Sequence, residues 1–513
     1  MCKKISKLML VLLVTIFAVS ITTSAVFAQA NMYPAKKAAV DWVDANQARM
    51  EKLSKAIWSY AELPWQEFKS SAALREFLKD NGFRVDDVPG FPTAFKATYG
   101  SGKPVIGIMG EFDALPMTSQ KAGVTKRDPL VAIGNEAGPG HSCGHSYFGV
   151  GSAGAAVAAA KAMEKNGIKG TIIMLGTPAE EGGEGKTYLS KAGFFKNPNI
   201  DVILTWHPGD SNQTEPQSNN ARYSVKYAFT GKTSHAGSAP EKGRSALDAA
   251  VITDVCVQYI REHMKEANRI HSVFTKGGVS PNVVPDFAEI WYFVRAPEIT
   301  ELKDLFRRVT NCAKAGALGT DTAMKMDIKT VTWNYLPNLT LAQISWDNLN
   351  LLRVPQFTDE EQAWAKEVQK NAGLPQRGMD AKIGPRPTKI GKASTGSSDD
   401  GNVTWVIPGG RICGVATYPL AAAGHSWQIA TGGNHTTGMK GMIKASQVIA
   451  ATAVDLVTYP KLISEITKEW KERKGGIEYE DLLAPDSTPS FQEYAPEMRR
   501  FIPLLEKHYL SPK

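Results

Sequence analysis

Two residues that suit metal chemistry lie close together in the segment His141-Ser142-Cys143-Gly144-His145. Thiolate and imidazole are ligands that zinc and related ions accept readily. A tight turn at Gly144 allows both side chains to point at one ion. The sequence therefore predicts that Cys143 and His145 share a metal site. The alternative is a buried thiol flanked by structural histidines.

A pair of adjacent carboxylates forms the second candidate, in Pro178-Ala179-Glu180-Glu181-Gly182-Gly183. Neighbouring side chains at the end of a strand cannot point in the same direction. One glutamate is therefore free to bind metal while the other takes a proton from water. The alternative is a pair of acidic residues at the start of a helix, where the helix dipole favours them.

Two single histidines complete the set: His207 in Trp206-His207-Pro208 and His425 in Gly424-His425-Ser426-Trp427. A lone histidine is more often structural than a ligand. Four such segments that each follow a predicted strand are much harder to explain separately. We therefore interpret them as one site.

The elements that position these residues are short apolar runs alternating with helical patterns. Buried strands alternating with helices indicate an α/β domain with a mostly parallel sheet, flanked by helices. Ligands gather at the carboxyl ends of such strands, which is where Glu111, Asp113, Glu180, Glu181 and His207 fall. Strands are predicted at 104–110, 171–175, 202–206, 404–407 and 412–417, and helices at 148–165 and 440–457.

The pattern changes near residue 217, where half-exposed strands replace buried ones. Strands at 222–230, 289–294 and 324–333 alternate with helices at 246–262 and 302–315. This β-α-β-α-β order predicts a smaller α+β domain inserted into the larger one. We expect a catalytic domain of residues 31–218 and 337–464, an inserted domain of residues 219–336 and a C-terminal appendage of residues 465–513.

The first thirty residues have the pattern of a secretory signal peptide. Lys3, Lys4 and Lys7 precede a short apolar run, and small residues follow near Ala28. The run is short for a membrane span, which needs about 20 apolar residues. We expect residues 1–30 to be removed and the protein to be exported, periplasmic or secreted, with no stable membrane span; an uncleaved anchor is the alternative.

Composition excludes some other classes. The net charge is +8 and the pI about 9.0 over 513 residues, but the basic residues are dispersed, so nucleic-acid binding is not expected. Four cysteines, all widely spaced, would remain after signal cleavage. They predict no disulfide framework, and we expect Cys143 to be a free thiolate ligand.

The order and the residues of these motifs resemble those of the co-catalytic metallopeptidase family of aminoacylase and glutamate carboxypeptidase. Within it, the amidohydrolase branch of hippurate, indole-acetyl-amino-acid and aminobenzoyl-glutamate hydrolases is most similar. Segments 206–208, 396–399 and 425–428 look most like the aminobenzoyl-glutamate type. The other matching stretches are 111–116, 141–145, 178–183, 231–247, 281–286 and Arg295.

The resemblance implies a zinc-exopeptidase-like catalytic domain and an inserted lid or dimerisation domain that makes a homodimer. It implies two divalent metal ions per subunit, zinc or manganese, with cobalt possible in vitro. Glu180 takes the general-base position, and the metal ligands are Cys143, His145, Glu181, His207 and His425.

Three residues of the inserted domain also match family positions. His235 corresponds to a histidine that reaches the active site of a partner subunit, where we expect it to donate a hydrogen bond to the oxyanion. Asn282 and Arg295 correspond to positions associated with the substrate carboxylate, a role that suits a planar guanidinium.

Two positions depart from the family pattern. Ser146 follows His145 where many relatives have aspartate, so the group that orients His145 is either missing or supplied from elsewhere. Glu111 stands where the peptidase branches have a ligand histidine, and it is a candidate ligand.

The sequence as a whole predicts a metal-dependent amidohydrolase that cleaves an N-acyl amino acid, aminobenzoyl-glutamate or a related small molecule. An exported metallo-dipeptidase or aminopeptidase using the same site is the alternative. A non-catalytic binding protein with a structural metal is a more remote one, because a purely structural site needs no general base.

Overall fold

A computed structural model describes residues 31–196, 199–214 and 216–513. The predicted signal peptide, residues 1–30, lies outside the described residues. Within the described ranges, no helix is both long enough and apolar enough to cross a membrane.

The chain forms twelve strands and fourteen α-helices within these ranges, named here in chain order. The helices are α1 (Pro34–Ala45), α2 (Gln47–Tyr60), α3 (Phe68–Asp80), α4 (His145–Asn166), α5 (Gly185–Lys191), α6 (Ala246–Ile260), α7 (Ile299–Gly319), α8 (Leu339–Leu352), α9 (Asp359–Asn371), α10 (Asp400–Thr404), α11 (Trp427–Ala430), α12 (Thr436–Thr458), α13 (Pro460–Lys474) and α14 (Ala495–Leu505). The strands are β1 (Arg84–Val88), β2 (Phe91–Ser101), β3 (Val105–Gly110), β4 (Ala132–Ile133), β5 (Glu136–Ala137), β6 (Gly170–Gly176), β7 (Val202–Gly209), β8 (Ala221–Thr230), β9 (Arg269–Lys276), β10 (Phe287–Ala296), β11 (Ala323–Thr332) and β12 (Gly409–Ala416).

The larger sheet has six strands in the order β1-β2-β6-β3-β7-β12. The pairs β6–β3, β3–β7 and β7–β12 are parallel, while β1 and β2 are antiparallel additions at one edge. Every residue of β3 and β6 is buried, as expected for central strands covered by helices on both faces. The predicted α/β class with a mostly parallel sheet is confirmed.

Helix α4 covers one face of this sheet and begins at the candidate ligand His145. Its sequence is rich in glycine and alanine, and nearly all of its residues are buried. A Cβ at Gly149 would lie 2.8 Å from the carbonyl oxygen of Glu111, and one at Gly154 would lie 2.2 Å from the terminal carbon of Met50. Small residues therefore let the helix approach the strand that carries Glu111.

The smaller sheet is antiparallel, with the order β11-β8-β10-β9. Residues alternate between buried and half-exposed along β8 and β10. The buried side packs on α6 and α7, with Tyr227, Tyr292 and Leu305 in the shared core. This is the predicted inserted α+β unit.

The sequence missed or misassigned two elements here. Strand β9 was not predicted, because it is an edge strand with one buried residue and no apolar alternation. The strand predicted at Thr404–Ile407 is wrong: Asp400–Thr404 is helical, and 405–408 forms a turn. An apolar run of four residues does not distinguish a buried turn from a buried strand.

Cys256 in α6 and Cys312 in α7 form a disulfide, with Cα atoms 5.5 Å apart. The cysteine spacing had predicted no disulfide framework, and this single bond is the exception, since two helices far apart in sequence pack side by side. Cys143 and Cys413 are free thiols, as expected for Cys143.

The boundary predicted at residue 464/465 lies inside α13, because the charged sequence after residue 460 still forms an amphipathic helix. The last helix, α14, is packed into the molecule. Its Met498, Phe501 and Leu505 are buried against Leu63 and Val131 of the larger unit. The C-terminal segment is therefore in position to influence the catalytic domain.

Candidate metal centre

His145 is completely buried and lies at the centre of the site. Its Nδ1 is 2.8 Å from Asp113 Oδ1, and its Nε2 is 3.1 Å from Glu111 Oε2. The other oxygen of Asp113 accepts a hydrogen bond of 2.8 Å from the backbone N–H of Glu181. Asp113 thus orients the imidazole and anchors the glutamate turn at the same time. It supplies the orienting carboxylate that Ser146 cannot provide.

Cys143 is shared by two groups of potential ligands. One group consists of Cys143, His145 and His207, the other of Cys143, Glu181 and His425, and within each group the ligand atoms lie within 4.8 Å of one another. The thiol sulfur is 3.6 Å from His207 Nε2. The structure therefore places all five predicted ligands around one sulfur atom.

His207 and His425 reach this centre from different elements. His207 lies within β7, which continues two residues beyond it, and its Nδ1 lies 2.7 Å from the Pro208 carbonyl oxygen. This leaves Nε2 facing Cys143. His425 has a left-handed backbone with φ of 57°, and its Nε2 lies 3.5 Å from Glu181 Oε2. His425 is 55% exposed, so the centre opens to solvent on that side.

The turn that carries Glu180 and Glu181 is fixed from below by buried Glu67. Glu67 Oε1 accepts hydrogen bonds from the backbone N–H groups of Ala179 (2.8 Å) and Trp65 (2.9 Å). Ala179 has φ of 61° and Gly182 has φ of 86°. These left-handed residues on either side of the pair turn the two carboxylates in different directions. Glu181 faces Cys143, while Glu180 groups with Glu111 and His145.

A buried lysine, Lys186, lies behind Glu111. Its Nζ is 2.5 Å from Glu111 Oε1, 2.5 Å from Asp399 Oδ1 and 3.4 Å from Asp400 Oδ1. None of these four side chains is more than 2% exposed. The ammonium group therefore compensates a cluster of carboxylates directly beside His145, a candidate metal ligand.

The charges of the site shift several pKa values. Burial, followed by the charges of Glu111 and Glu181, raises the pKa of Glu180 well above its usual range. Burial raises the pKa of Glu111 to about 7 against the opposing charges of Lys186 and His145. A carboxyl group titrating nearer neutrality can both accept and return a proton.

The ligand atoms fit divalent ions. Burial raises the pKa of the Cys143 thiol and lowers that of His207, and a cation reverses the first effect because a coordinating thiol is deprotonated. His145 Nε2 and Glu181 Oε1 are buried and make no hydrogen bond of suitable geometry among the described residues, although Glu111 Oε2 lies 3.1 Å from His145 Nε2. Mixed sulfur, nitrogen and oxygen donors around one thiol suit a pair of zinc-like ions.

His235 and Asn282 are not part of this cluster. Both are exposed on the inserted domain. They are neighbours, since Ala236 N–H donates to the Asn282 carbonyl at 3.0 Å. His235 Nδ1 accepts from the N–H groups of Gly237 and Ser238, each at 3.1 Å, which directs Nε2 away from its own loop.

Arg295 contacts the catalytic domain directly. Its Nη1 donates to Ser397 Oγ at 3.3 Å, within the segment that leads to Asp399. Arg295 also pairs in register with Arg222 on the adjacent strand. Arg222 forms an ion pair with the buried Glu184 of the glutamate turn.

Sequence reasoning missed the roles of Asp113, Lys186 and the pair Asp399-Asp400. Lys186 follows Glu180 by six residues, so it belongs to the same motif. The segment 396–399 had been noted only as a resemblance. A lysine at the start of α5, directly after the acidic and glycine-rich residues 180–185, is the sequence signal that could have pointed to a compensated acidic cluster.

Comparison with known proteins establishes the class. Residues 107–453 match the model of Peptidase family M20/M25/M40, which is more than half of the chain. The chain belongs to this family, and the resemblance read from its motifs is confirmed.

Relatives within the family narrow the similarity further. The chain is 33% identical to one of the subunits of p-aminobenzoyl-glutamate hydrolase of Escherichia coli (strain K12), over 88% of this chain and 98% of the relative. It is 30% identical to the Xaa-Arg dipeptidase of Mus musculus, over 85% of this chain and 92% of the relative. A dinuclear metal binding peptidase of the M20 family from Bacillus subtilis shares the fold, with a TM-score of 0.51 and 18% identity over 81% and 99%.

These findings identify the chain as a metal-dependent amidohydrolase that acts on amide bonds. Hydrolysis of acyl-amino acids is supported by the relatives. The predicted hydrolase class and the need for metal are therefore confirmed.

Proposed function

We propose that the protein hydrolyses N-acyl amino acids whose acyl group is aromatic, aminobenzoyl-glutamate or a close analogue. The observation that supports this most is the pair of ligand groups sharing Cys143, with Glu180 beside His145 and Arg295 in contact with Ser397 of the catalytic domain. The relative named as a p-aminobenzoyl-glutamate hydrolase supports the substrate class.

Cys143, His145, Glu181, His207 and His425 would hold two divalent ions, zinc or manganese. When bound, such ions polarise the substrate carbonyl and acidify a water molecule. Glu180 takes the proton from this water and returns it to the leaving nitrogen. Asp113 keeps His145 in one tautomer throughout.

Arg295 would bind the free carboxylate of the amino-acid half through a planar pair of donors, and Asn282 would assist from the second subunit of the dimer proposed below. We expect Arg295→Ala to narrow the difference in kcat/KM between an N-acyl amino acid and its neutral amide analogue. An equal loss on the acid and the amide would show that Arg295 only supports the domain interface.

We further propose a homodimer formed through the inserted domain, with His235 acting in the partner's site. Helix α6 exposes an apolar face of Val251, Ile252, Val255 and Tyr259, which are 42–72% exposed. The neighbouring edge strand β9 exposes Val273 and unpaired backbone groups. A contiguous apolar face beside a free strand edge is typical of a protein interface.

A dipeptidase is the second candidate, favoured by the similarity to the Xaa-Arg dipeptidase. The two functions are separated by assaying protein reconstituted with Zn²⁺ or Mn²⁺ on N-benzoyl, N-acetyl and 4-aminobenzoyl amino acids and on free dipeptides. Cleavage of the aromatic acyl-amino acids without cleavage of dipeptides supports the first proposal, and the reverse supports the second.

Export to the periplasm or beyond is proposed from the predicted signal peptide and from the disulfide between α6 and α7. Disulfides persist in oxidising compartments and are rare in the cytosol. Cell fractionation with mass spectrometry of the mature N-terminus tests this. A cytosolic protein that retains Met1 would contradict it.

A further inference from the structure

Apart from the candidate metal centre, a cavity of about 500 Å³ lies against the turn that carries Glu180 and Glu181, the glutamate turn. Its walls come from three parts of the chain: the turn itself at Gly182 and Gly183, one face of the inserted sheet, and the C-terminal segment at Glu493 and Tyr494. The volume is in the range of small-molecule sites. The cavity therefore touches the catalytic turn without including any of the predicted metal ligands.

The inserted sheet lines this cavity with alternating rings and cations. Trp291 and Phe293 lie on the same face of β10, with ring centroids 5.4 Å apart in an edge-to-face arrangement. The Lys226 ammonium lies 5.2 Å from the Trp291 ring centre, and the Arg222 guanidinium lies 4.6 Å from that of Phe293. Such a surface can hold a planar aromatic ring and a negative charge together.

The unpartnered donors of the cavity favour a ligand that carries acceptor oxygens. Its three cations, Lys226, Lys329 and Arg222, are paired with the carboxylates of Glu289, Asp327 and Glu184, so an entering anion competes with these ion pairs. Trp65 Nε1 and Arg222 Nε are buried donors that find no acceptor within the described part of the chain. Trp65 Nε1 is directed at Gly183, where an added Cβ would lie 2.8 Å from it. Buried donors are normally satisfied, so both favour a ligand that supplies acceptor oxygens.

Gly182 and Tyr494 make the cavity narrow beside the turn. A Cβ at Gly182 would lie 3.0 Å from the Tyr494 hydroxyl oxygen, and the φ of +86° disfavours any side chain there. The C-terminal segment therefore closes over the turn at Gly182, where a side chain would meet the Tyr494 hydroxyl group.

We propose that this cavity binds an aromatic carboxylate, either as the anionic acyl end of a substrate whose amide lies at Glu180 or as a free aromatic acid. The first source rests on the proposed amidohydrolase function; the second does not.

Binding is measured by titration calorimetry, adding benzene-1,4-dicarboxylate to the Zn²⁺-reconstituted full-length enzyme. We expect Trp291→Ala and Lys226→Met to weaken the affinity about tenfold each, because they remove the stacking surface and a facing cation. Trp291→Phe keeps a ring and should bind within about threefold of the wild type. Lys314→Met is the matched control, since it removes an exposed lysine of α7 outside the cavity.

Ligand variants test the two chemical requirements. Benzamide lacks the negative charge, and cyclohexane-1,4-dicarboxylate has a saturated ring in place of the aromatic one. Both should therefore bind more weakly than the aromatic diacid. Absence of binding to the wild type, or an affinity unchanged in Trp291→Ala and Lys226→Met, overturns the proposal; in the latter case the acid binds at the metal centre.

Competition identifies the source of the ligand. Competitive inhibition of N-acyl-amino-acid hydrolysis by the diacid assigns the cavity to the acyl end of the substrate. Binding that leaves the KM unchanged assigns it to a free acid. If no acyl-amino acid is hydrolysed but the variants still weaken binding, the proposed function fails while the cavity assignment stands.

Discussion

The two glutamates at 180 and 181 differ in role because of the backbone that carries them. Glu181 is tied to Asp113 through its N–H group and faces Cys143, whereas Glu180 lies beside Glu111 and His145. This difference supports the proposal that Glu181 is a ligand and Glu180 the base.

We expect Glu180→Gln to lower kcat by about 10²–10⁴-fold or more, because general-base assistance is lost. Metal content should remain near that of the wild type, since Glu180 is not among the five proposed ligands. The measurements are steady-state kinetics on the best acyl-amino acid and metal analysis of the purified variant. Glu181→Gln is the matched control and should lose metal; retention of wild-type turnover in Glu180→Gln would rule out its role as base.

Lys186 is the residue whose importance the sequence showed least. Removing its charge in Lys186→Met leaves Glu111 and Asp399 buried without their nearest cation, while Asp400 keeps Arg411, and this should cost about 3–5 kcal/mol of unfolding free energy. The double variant Lys186→Met/Asp399→Asn should recover part of this loss. Urea unfolding of the two variants measures the difference, and equal stability of Lys186→Met and the wild type would contradict the assignment.

At the scale of elements, the sequence predicted those strands and helices whose apolar residues form a clear pattern. The buried strands β3, β6 and β7 and the helices α4 and α12 were found because their apolar runs are long or bounded by glycine and charged residues. Strand β9 and the helix α10 were not, since an edge strand needs no buried face and a four-residue apolar run has no period.

The candidate metal site was also predicted only in part. Cys143, His145, Glu181, His207 and His425 were predicted as ligands and lie together, because strand ends of a parallel sheet converge. The partners of Glu111 were not foreseen, since Lys186 and Asp399 are separated by 213 positions in the sequence and meet only when the chain folds back.

The disulfide between α6 and α7 belongs to this scale too. It closes a loop with a sequence separation of 56 residues, which in the chain-entropy model stabilises the fold by about 4 kcal/mol. We expect the double variant Cys256→Ala/Cys312→Ala to lower the urea concentration at the midpoint of unfolding. Reduction of the disulfide in the wild type should lower this midpoint by the same amount. A double variant as stable as the oxidised wild type would contradict this contribution.

At the scale of the whole molecule, His235 lies apart from the metal cluster. Whether it acts in its own chain or in a partner's site therefore determines how many chains form one active site. In this single chain, His235 and Asn282 lie exposed together, and their hydrogen bonds are to residues of the inserted domain. In the homodimer proposed above, these side chains would act in the site of the partner subunit.

Subunit mixing tests this arrangement. If His235 acts in trans, a heterodimer of Glu180→Gln and His235→Ala subunits has one intact site, made from the base of one chain and the histidine of the other. Random assembly of equal amounts should then restore about a quarter of wild-type activity, because half of the dimers are mixed and each has one good site of two. If His235 acts within its own chain, the mixture stays inactive.

The matched control mixes wild type with the double variant Glu180→Gln/His235→Ala. In trans, every mixed dimer lacks a complete site, so about a quarter of the activity remains, whereas action in cis leaves about half. Val255→Asp, placed on the apolar face of α6, should give monomers by light scattering and abolish complementation while leaving metal content unchanged. A monomeric wild-type protein with full activity would exclude both the dimer and the role of His235 in a partner's site.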